Sequence, residues 1–119
     1  MPDLRDFRVH TCALNARDLD TLAAQAMRAA PCFCDGEWVG EGPEAVRRAL
    51  EAEFRRNEEG IVRLGTVDGE PAALEFDAGG VERAVFRIRN DPAGRIRELR
   101  IDHRPAPLVE LAGLPEPAA

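Results

Sequence analysis

The chain contains no serine, no lysine and no tyrosine. All 16 of its basic side chains are therefore arginine. These absences exclude a serine nucleophile, a Schiff-base lysine, a phosphate-loop lysine and a tyrosine acid or oxyanion donor. Positive charge is outweighed by 22 acidic residues, giving a net charge of −6 and a pI near 4.9. A nucleic-acid surface has no electrostatic footprint in such a chain. No stretch approaches the ~20 apolar residues of a membrane span, and no membrane partner is expected. Met1-Pro2-Asp3-Leu4-Arg5-Asp6 lacks the apolar core of a signal peptide. Cysteine is scarce and odd in number, with only Cys12, Cys32 and Cys34. Reduced thiols and a cytoplasmic location are expected in place of a disulfide framework. The lack of lysine beside abundant alanine and arginine fits a GC-rich bacterial coding sequence.

What is present reads as one domain over residues 1–104, followed by a proline-rich tail over 105–119. Asp3 can cap a helix in which Leu4, Phe7, His10, Thr11 and Leu14 share a stripe. A break at Asn15–Asp20 precedes a second helix, with Leu19, Leu22, Ala23, Ala26, Met27 and Ala30 at helical spacing and Pro31 as its stop. Cys32–Trp38 is a short extended segment with an Asp35-Gly36 turn. Pro43 opens a third helix that carries Val46, Ala49, Leu50 and Phe54 on one face. Glu44 with Arg48, Arg47 with Glu51, and Glu51 with Arg55 are i, i+4 pairs on its solvated side, worth a few tenths of a kcal/mol each.

The second half is strand. Ile61–Val67 and Ala72–Phe76 flank Asp68-Gly69, a strong hairpin signal. Two further strands cover Val81–Arg89 and Arg95–Asp102. Alternation places Leu64, Leu74, Phe76, Phe86 and Ile88 on apolar faces, to be covered by the helices. It places Arg63, Glu75, Arg87 and Arg89 on the opposite, solvated side as a salt-bridge ladder. In the last strand Ile96 is out of phase with Leu99 and Ile101, which predicts a bulge near Arg97-Glu98.

The order helix, helix, short strand, helix, then four antiparallel strands resembles the nuclear transport factor 2-like superfamily, which includes ketosteroid isomerase and the SnoaL-like polyketide cyclases. Local stretches are similar too. Ala13-Leu14-Asn15-Ala16-Arg17-Asp18-Leu19-Asp20 resembles the family's junction between the first two helices. Trp38-Val39-Gly40-Glu41-Gly42-Pro43-Glu44-Ala45-Val46 resembles the lead-in to the third. Val67–Ala72 and Gly94–Arg100 resemble the central hairpin and final strand, and the last of these is also similar to a domain fused to some extracytoplasmic-function sigma factors. The resemblance implies an α+β cone, three N-terminal helices packed on a strongly curved antiparallel sheet, with an apolar conical pocket. Its motifs are caps, turns and packing positions, so they specify fold and leave function open. Homodimerisation through the exposed sheet face is the assembly the resemblance implies.

Ketosteroid isomerase uses a general-base Asp with an oxyanion hole of a Tyr and a protonated Asp. The resemblance puts the tyrosine position, five residues before the junction Asn, at His10. It puts the base at Cys34 by ungapped counting, or at Asp35 one residue later. It puts the acid two residues before Phe86, at Ala84. Steroid-type isomerisation is therefore disfavoured. What is left as catalytic candidates is His10 with Asp35, the carboxylate orienting an imidazole that acts near pH 7. The competing reading is a helix histidine bonded to a backbone carbonyl and an Asx turn at Asp35-Gly36.

Cys32 and Cys34, two apart on a strand, share a face, and Cys12 could approach them. Buried thiols are expected there in preference to a thiolate nucleophile or a metal site, and no cofactor is expected. Trp38 can stack on a ligand or pack under its loop, and the facing of Arg100, Asp102 and His103 is left open by the bulge. Cys34, Trp38, Leu64, Leu74, Phe76 and Phe86 are the candidate pocket lining, for a small apolar molecule. Three functions follow. They are a small-molecule binding domain, an isomerase, cyclase or dehydratase using His10 and Asp35, or a dimeric protein-interaction module.

Overall fold

The computed structural model describes residues 4–103, with side chains described from His10 onward. The proline-rich tail lies outside the described residues. Among the described residues three helices, α1 (Leu4–Asn15), α2 (Leu19–Ala24) and α3 (Gly42–Arg56), accompany six strands. These are β1 (Pro31–Cys34), β2 (Glu37–Glu41), β3 (Ile61–Val67), β4 (Glu70–Phe76), β5 (Glu82–Asn90) and β6 (Ile96–His103). They form one open sheet in the order β2-β1-β6-β5-β4-β3. No helix among the described residues is long and apolar enough to cross a membrane.

The α+β cone expected from the sequence is the architecture found, with one difference in the sheet. β1 pairs with β6 in parallel, Cys32 beside Leu99 and Cys34 beside Ile101, while the other pairings between these strands are antiparallel. The Asp35-Gly36 turn expected within the Cys32–Trp38 segment is present and makes a hairpin of β1 and β2, with φ of +50° and +84°. Asp68-Gly69 turns β3 into β4 in the same way, at +52° and +80°, the positive pair that a tight hairpin demands. The bulge falls where predicted. Arg89 faces Glu98 and Asn90 faces Ile96, which leaves Arg97 as the extra residue. A second extra residue, Arg83, sits on β5 between the partners of Glu75 and Phe76. Such insertions bend strands and curve the sheet.

α2 is shorter than its apolar spacing suggests. After Ala24 the backbone turns to pair with the sheet, Met27 donating to the Ile96 carbonyl at 2.9 Å and Ile96 to that of Gln25 at 2.7 Å. Strand pairing here outcompetes helix propensity, and Ala26 packs as a bridge residue beside Ile96.

The helix junction is an anchor. Asn15 pairs with the β3 edge through both ends of its amide, donating to the Val62 carbonyl at 2.7 Å and accepting from its N–H at 2.6 Å. Arg17, at φ +56°, caps the end of α3 by donating to the carbonyls of Asn57 and Gly60, with its guanidinium 4.4 Å over the Phe54 ring. Asp18 caps α2 through Thr21. The residues that carry the family resemblance here hold helices to sheet.

The main core lies between the helices and one sheet face, with Leu14, Leu22, Val46, Leu50, Leu64, Phe86 and Ile101 buried together. A separate buried cluster of Val67, Ala72, Leu74, Phe76 and Val85 belongs to the other face. Register decides this: Leu64 is opposite Ala73, whereas Leu74 is opposite Arg63 and Val85. Leu74 and Phe76 therefore do not share a lining with Leu64 and Phe86, and Glu75, expected on the solvated side, points at the helices and is fully buried. The alternation misleads on β4 because both of its faces are buried.

Candidate active site

The site grows from the end of β1. The turn at Asp35 sends its backbone N–H to the Ile101 carbonyl at 2.9 Å, docking the hairpin against the end of β6. That contact brings Asp35 to His103. Asp35 Oδ1 accepts the His103 backbone N–H at 2.7 Å, and Oδ2 lies 2.8 Å from His103 Nδ1. On its other side His103 Nε2 lies 2.5 Å from Glu53 Oε2, presented by α3. One imidazole thus bridges two carboxylates, on a gradient from solvent to core. The side chains are 56% exposed at Asp35, 21% at His103 and 5% at Glu53.

The row continues across the sheet. His103 is opposite Ala84, Ala84 opposite Glu75, and Glu75 opposite Val62. The small side chain of Ala84 separates His103 from Glu75 on the same face. Both Glu75 oxygens are buried without a partner of regular hydrogen-bond geometry. Glu53 and Asn57 are nonetheless near enough to act on its ionisation.

Electrostatics follow from this packing. Burial opposes a charged His103, but the hydrogen bonds and charges of Glu53 and Asp35 outweigh it and raise its pKa above 6.5. The two His103 hydrogen bonds hold the Asp35 carboxyl below its usual range. Burial, reinforced by Glu53, pushes Glu75 up to about 8, against smaller opposing effects of Asn57 and Arg17. Burial also pushes the Cys32 thiol up to about 11, helped by Cys34. Cys34 is raised by burial and then by Asp35, Glu53 and Asp102, with Arg56 opposing. A thiolate is disfavoured at both, since nucleophilic cysteines need the opposite environment.

A cavity of about 360 Å³ opens between α3 and the β1–β2 hairpin, with Asp35, Glu53 and His103 on its wall. Cys34, Val39, Ala45, Ala49 and Ala52 supply an apolar lining, and Arg48 and Arg56 stand along it.

The structure separates the two catalytic candidates. His10 is buried on α1, its Nε2 accepting from Asn90 Nδ2 at 2.7 Å. Asn90 faces Ile96 at the far end of the β5–β6 hairpin, seven residues from His103 along β6, roughly 23 Å at the usual strand rise. Asp35 instead takes His103 as its histidine. Cys34 lies on the cavity wall. Trp38 is 58% exposed and opposite Phe33, on the sheet face where Arg100 stacks over the Phe33 ring at 4.1 Å. Leu64 and Phe86 are core residues. Arg100 and Asp102 fall on that outer face and His103 on the inner one. The outer-face ladder runs through Glu98, which meets Arg100 at 2.9 Å and Arg89 at 3.5 Å, and Arg87 is 3.9 Å from Asp68. Of the thiols, Cys32 is buried, Cys34 half-buried and Cys12 exposed.

The sequence left the facing of His103 open, put Glu75 on the solvated side and did not single out Glu53. Glu53 sat in view, since Val46, Leu50, Glu53 and Phe54 follow helical spacing and place a carboxyl on the buried stripe. Glu75 was the one carboxyl inside the apolar run Ala72–Phe76.

Comparison with solved structures decides the fold. A protein assigned as a SnoaL-like isomerase from Agrobacterium tumefaciens superposes with a TM-score of 0.63 at 19% identity, covering 86% of this chain and 97% of that one. The chain has the nuclear transport factor 2-like fold. A protein assigned as a polyketide cyclase from Sinorhizobium meliloti shares this nuclear transport factor 2-like cone with a TM-score of 0.59 at 20% identity, covering 82% and 93%. So does the epoxide hydrolase/cyclase-like enzyme SalBIII, of pyran ring formation in the polyether salinomycin, at 0.61 and 19%, covering 83% and 88%. No protein-family model and no curated protein sequence matches the chain.

Proposed function

We propose that this nuclear transport factor 2-like protein is a small-molecule enzyme of the isomerase, cyclase or dehydratase type, working by general acid–base catalysis at Asp35, His103 and Glu53. The observation that carries this is one imidazole held between two carboxylates on the wall of an apolar-lined cavity. The exposed Asp35 carboxylate removes a proton from a carbon next to a carbonyl. As Asp35 takes up that proton it releases the Nδ1–H of the His103 imidazolium, which passes to the carbonyl oxygen, so that an enol forms and no charge is left on the substrate. Running the same transfers in reverse at a different carbon yields the isomer. Glu53 fixes the ring through Nε2 and stabilises its charged form. Structural neighbours that carry isomerase and cyclase names support this reaction class.

Exchange of substrate hydrogen with solvent tests this without knowledge of the full reaction. A panel of ketones, keto esters and keto acids is incubated in D2O with the protein and followed by proton NMR. Deuterium entry into one chemical class is expected, slowed about 10²-fold or more in Asp35→Asn and in His103→Gln, the usual weight of a general acid or base. Equal exchange by the folded variants and the unaltered chain would overturn the assignment.

A further inference from the structure

The cavity has a second chemical feature that proton transfer does not use. Its α3 wall presents Ala45, Ala49 and Ala52 as a smooth apolar strip, with Arg48 and Arg56 on the same side. The other two arginines of α3 are engaged, Arg47 with Asp20 at 2.6 Å and Arg55 with Glu51 at 2.6 Å. Among the described residues neither Arg48 nor Arg56 has an ion-pair partner. The i, i+4 pair of Glu44 with Arg48 expected from the sequence is not among the ion pairs of the described residues. Arg56 lies at the His103 end, where its charge acts on Asp35 and Cys34. Arg48 is five residues from Glu53 on α3, about 7.5 Å along the helix axis, and lines the other end of the same cavity.

We infer that the cavity takes a small organic carboxylate, with Arg48 holding the carboxylate and the apolar body lying on the alanine strip. This rests on the acid–base reading of Asp35 and His103 and adds the substrate class. A guanidinium binds a carboxylate through two parallel N–H bonds, which fixes orientation as well as position. Anchored at Arg48, the ligand directs its far end toward Asp35 and His103, several bonds from the anionic group. A neutral ligand of the same shape has no such anchor. The chain as a whole repels anions at its charge of −6, so an arginine without an ion-pair partner on a cavity wall is the local exception that would admit one.

The test compares 4-phenylbutyrate with its neutral amide, 4-phenylbutyramide, by calorimetry and by NMR shifts of the α3 and hairpin amides. The full chain at pH 7 and low salt is expected to bind the carboxylate about tenfold more tightly, 1.4 kcal/mol. That preference disappears in Arg48→Gln and is reduced in Arg48→Lys, which keeps the charge and loses the fork. Equal binding of acid and amide, a preference that survives Arg48→Gln, or no binding of the acid up to millimolar concentration would each overturn the inference. Arg48 is exposed, so the variant is expected to fold, and its melting temperature checks this. Binding is read without turnover, which keeps the two readings apart. Lost carboxylate preference with intact isotope exchange sinks only the substrate class, and intact preference without exchange sinks only the proposed chemistry.

Discussion

His103 has two ring nitrogens and a carboxylate at each, so its protonation state is shared among three residues, on β6, on α3 and in the β1–β2 turn. Glu53 is the fixed partner, buried and on a helix, and Asp35 is the exposed one. Glu75 is the strained neighbour, since burial beside Glu53 favours the neutral form of its carboxyl. Replacing it by an isosteric amide keeps the shape of the protonated acid and removes the cost of ionising it. Glu75→Gln is therefore expected to leave the melting temperature nearly unchanged at pH 5. At pH 8 it is expected to raise it by roughly 4 °C, the change that ~1 kcal/mol brings in a domain of this size. A calorimetric scan of both chains at both pH values checks this. A shift of the same size at pH 5 and pH 8 would show that ionisation of Glu75 is not the cause.

At the scale of elements, α3 and the β1–β2 hairpin form the cavity, and the turn between them sets their spacing. Gly42 begins α3 at φ +87°. A Cβ there would meet the Arg28 carbonyl oxygen at 2.6 Å. Gly42→Ala combines a left-handed backbone with a contact no real Cβ makes, so a loss of about 2 kcal/mol or more is expected in denaturant unfolding. A loss under 0.5 kcal/mol would mean that the turn relaxes freely. Much at this scale was legible in advance. Asp68-Gly69 and the phase slip at Ile96 announced a hairpin and a bulge because each requirement is local. The end of α2 was not legible, because the hydrogen bonds that stop it come from Ile96, some seventy residues on. The parallel pairing of β1 with β6 was hidden for the same reason, and it is this pairing that delivers Asp35 to His103.

The whole molecule sets the sign of its pH dependence. The raised pKa of His103 contributes stability that is fully present below pH ~6.5 and is lost as pH rises through its folded value. Glu75 acts in the same sense. Between 4.5 and about 8 the unfolded chain releases its proton while the folded chain keeps it, so stability falls across that window. Asp35 works oppositely, its stabilisation being present above 3.8 and lost as pH drops through its lowered folded value. The fold was readable from element order and caps because those features occupy contiguous sequence. The site was readable at Cys34 and at Asp35. His103, Glu53 and Glu75 lie on three different elements, and only tertiary register puts them in one row with it.

The unity of Asp35, His103 and Glu53 as one acid–base group is the centre of this account, and the ring nitrogens of His103 report it directly. A pH titration of the ¹⁵N-labelled full chain by long-range ¹H–¹⁵N correlation should find both nitrogens of His103 protonated at pH 6.5, with a midpoint above that value. The midpoint should fall in Asp35→Asn and in Glu53→Gln. A His103 midpoint at or below 6.5 that neither substitution moves would contradict the account.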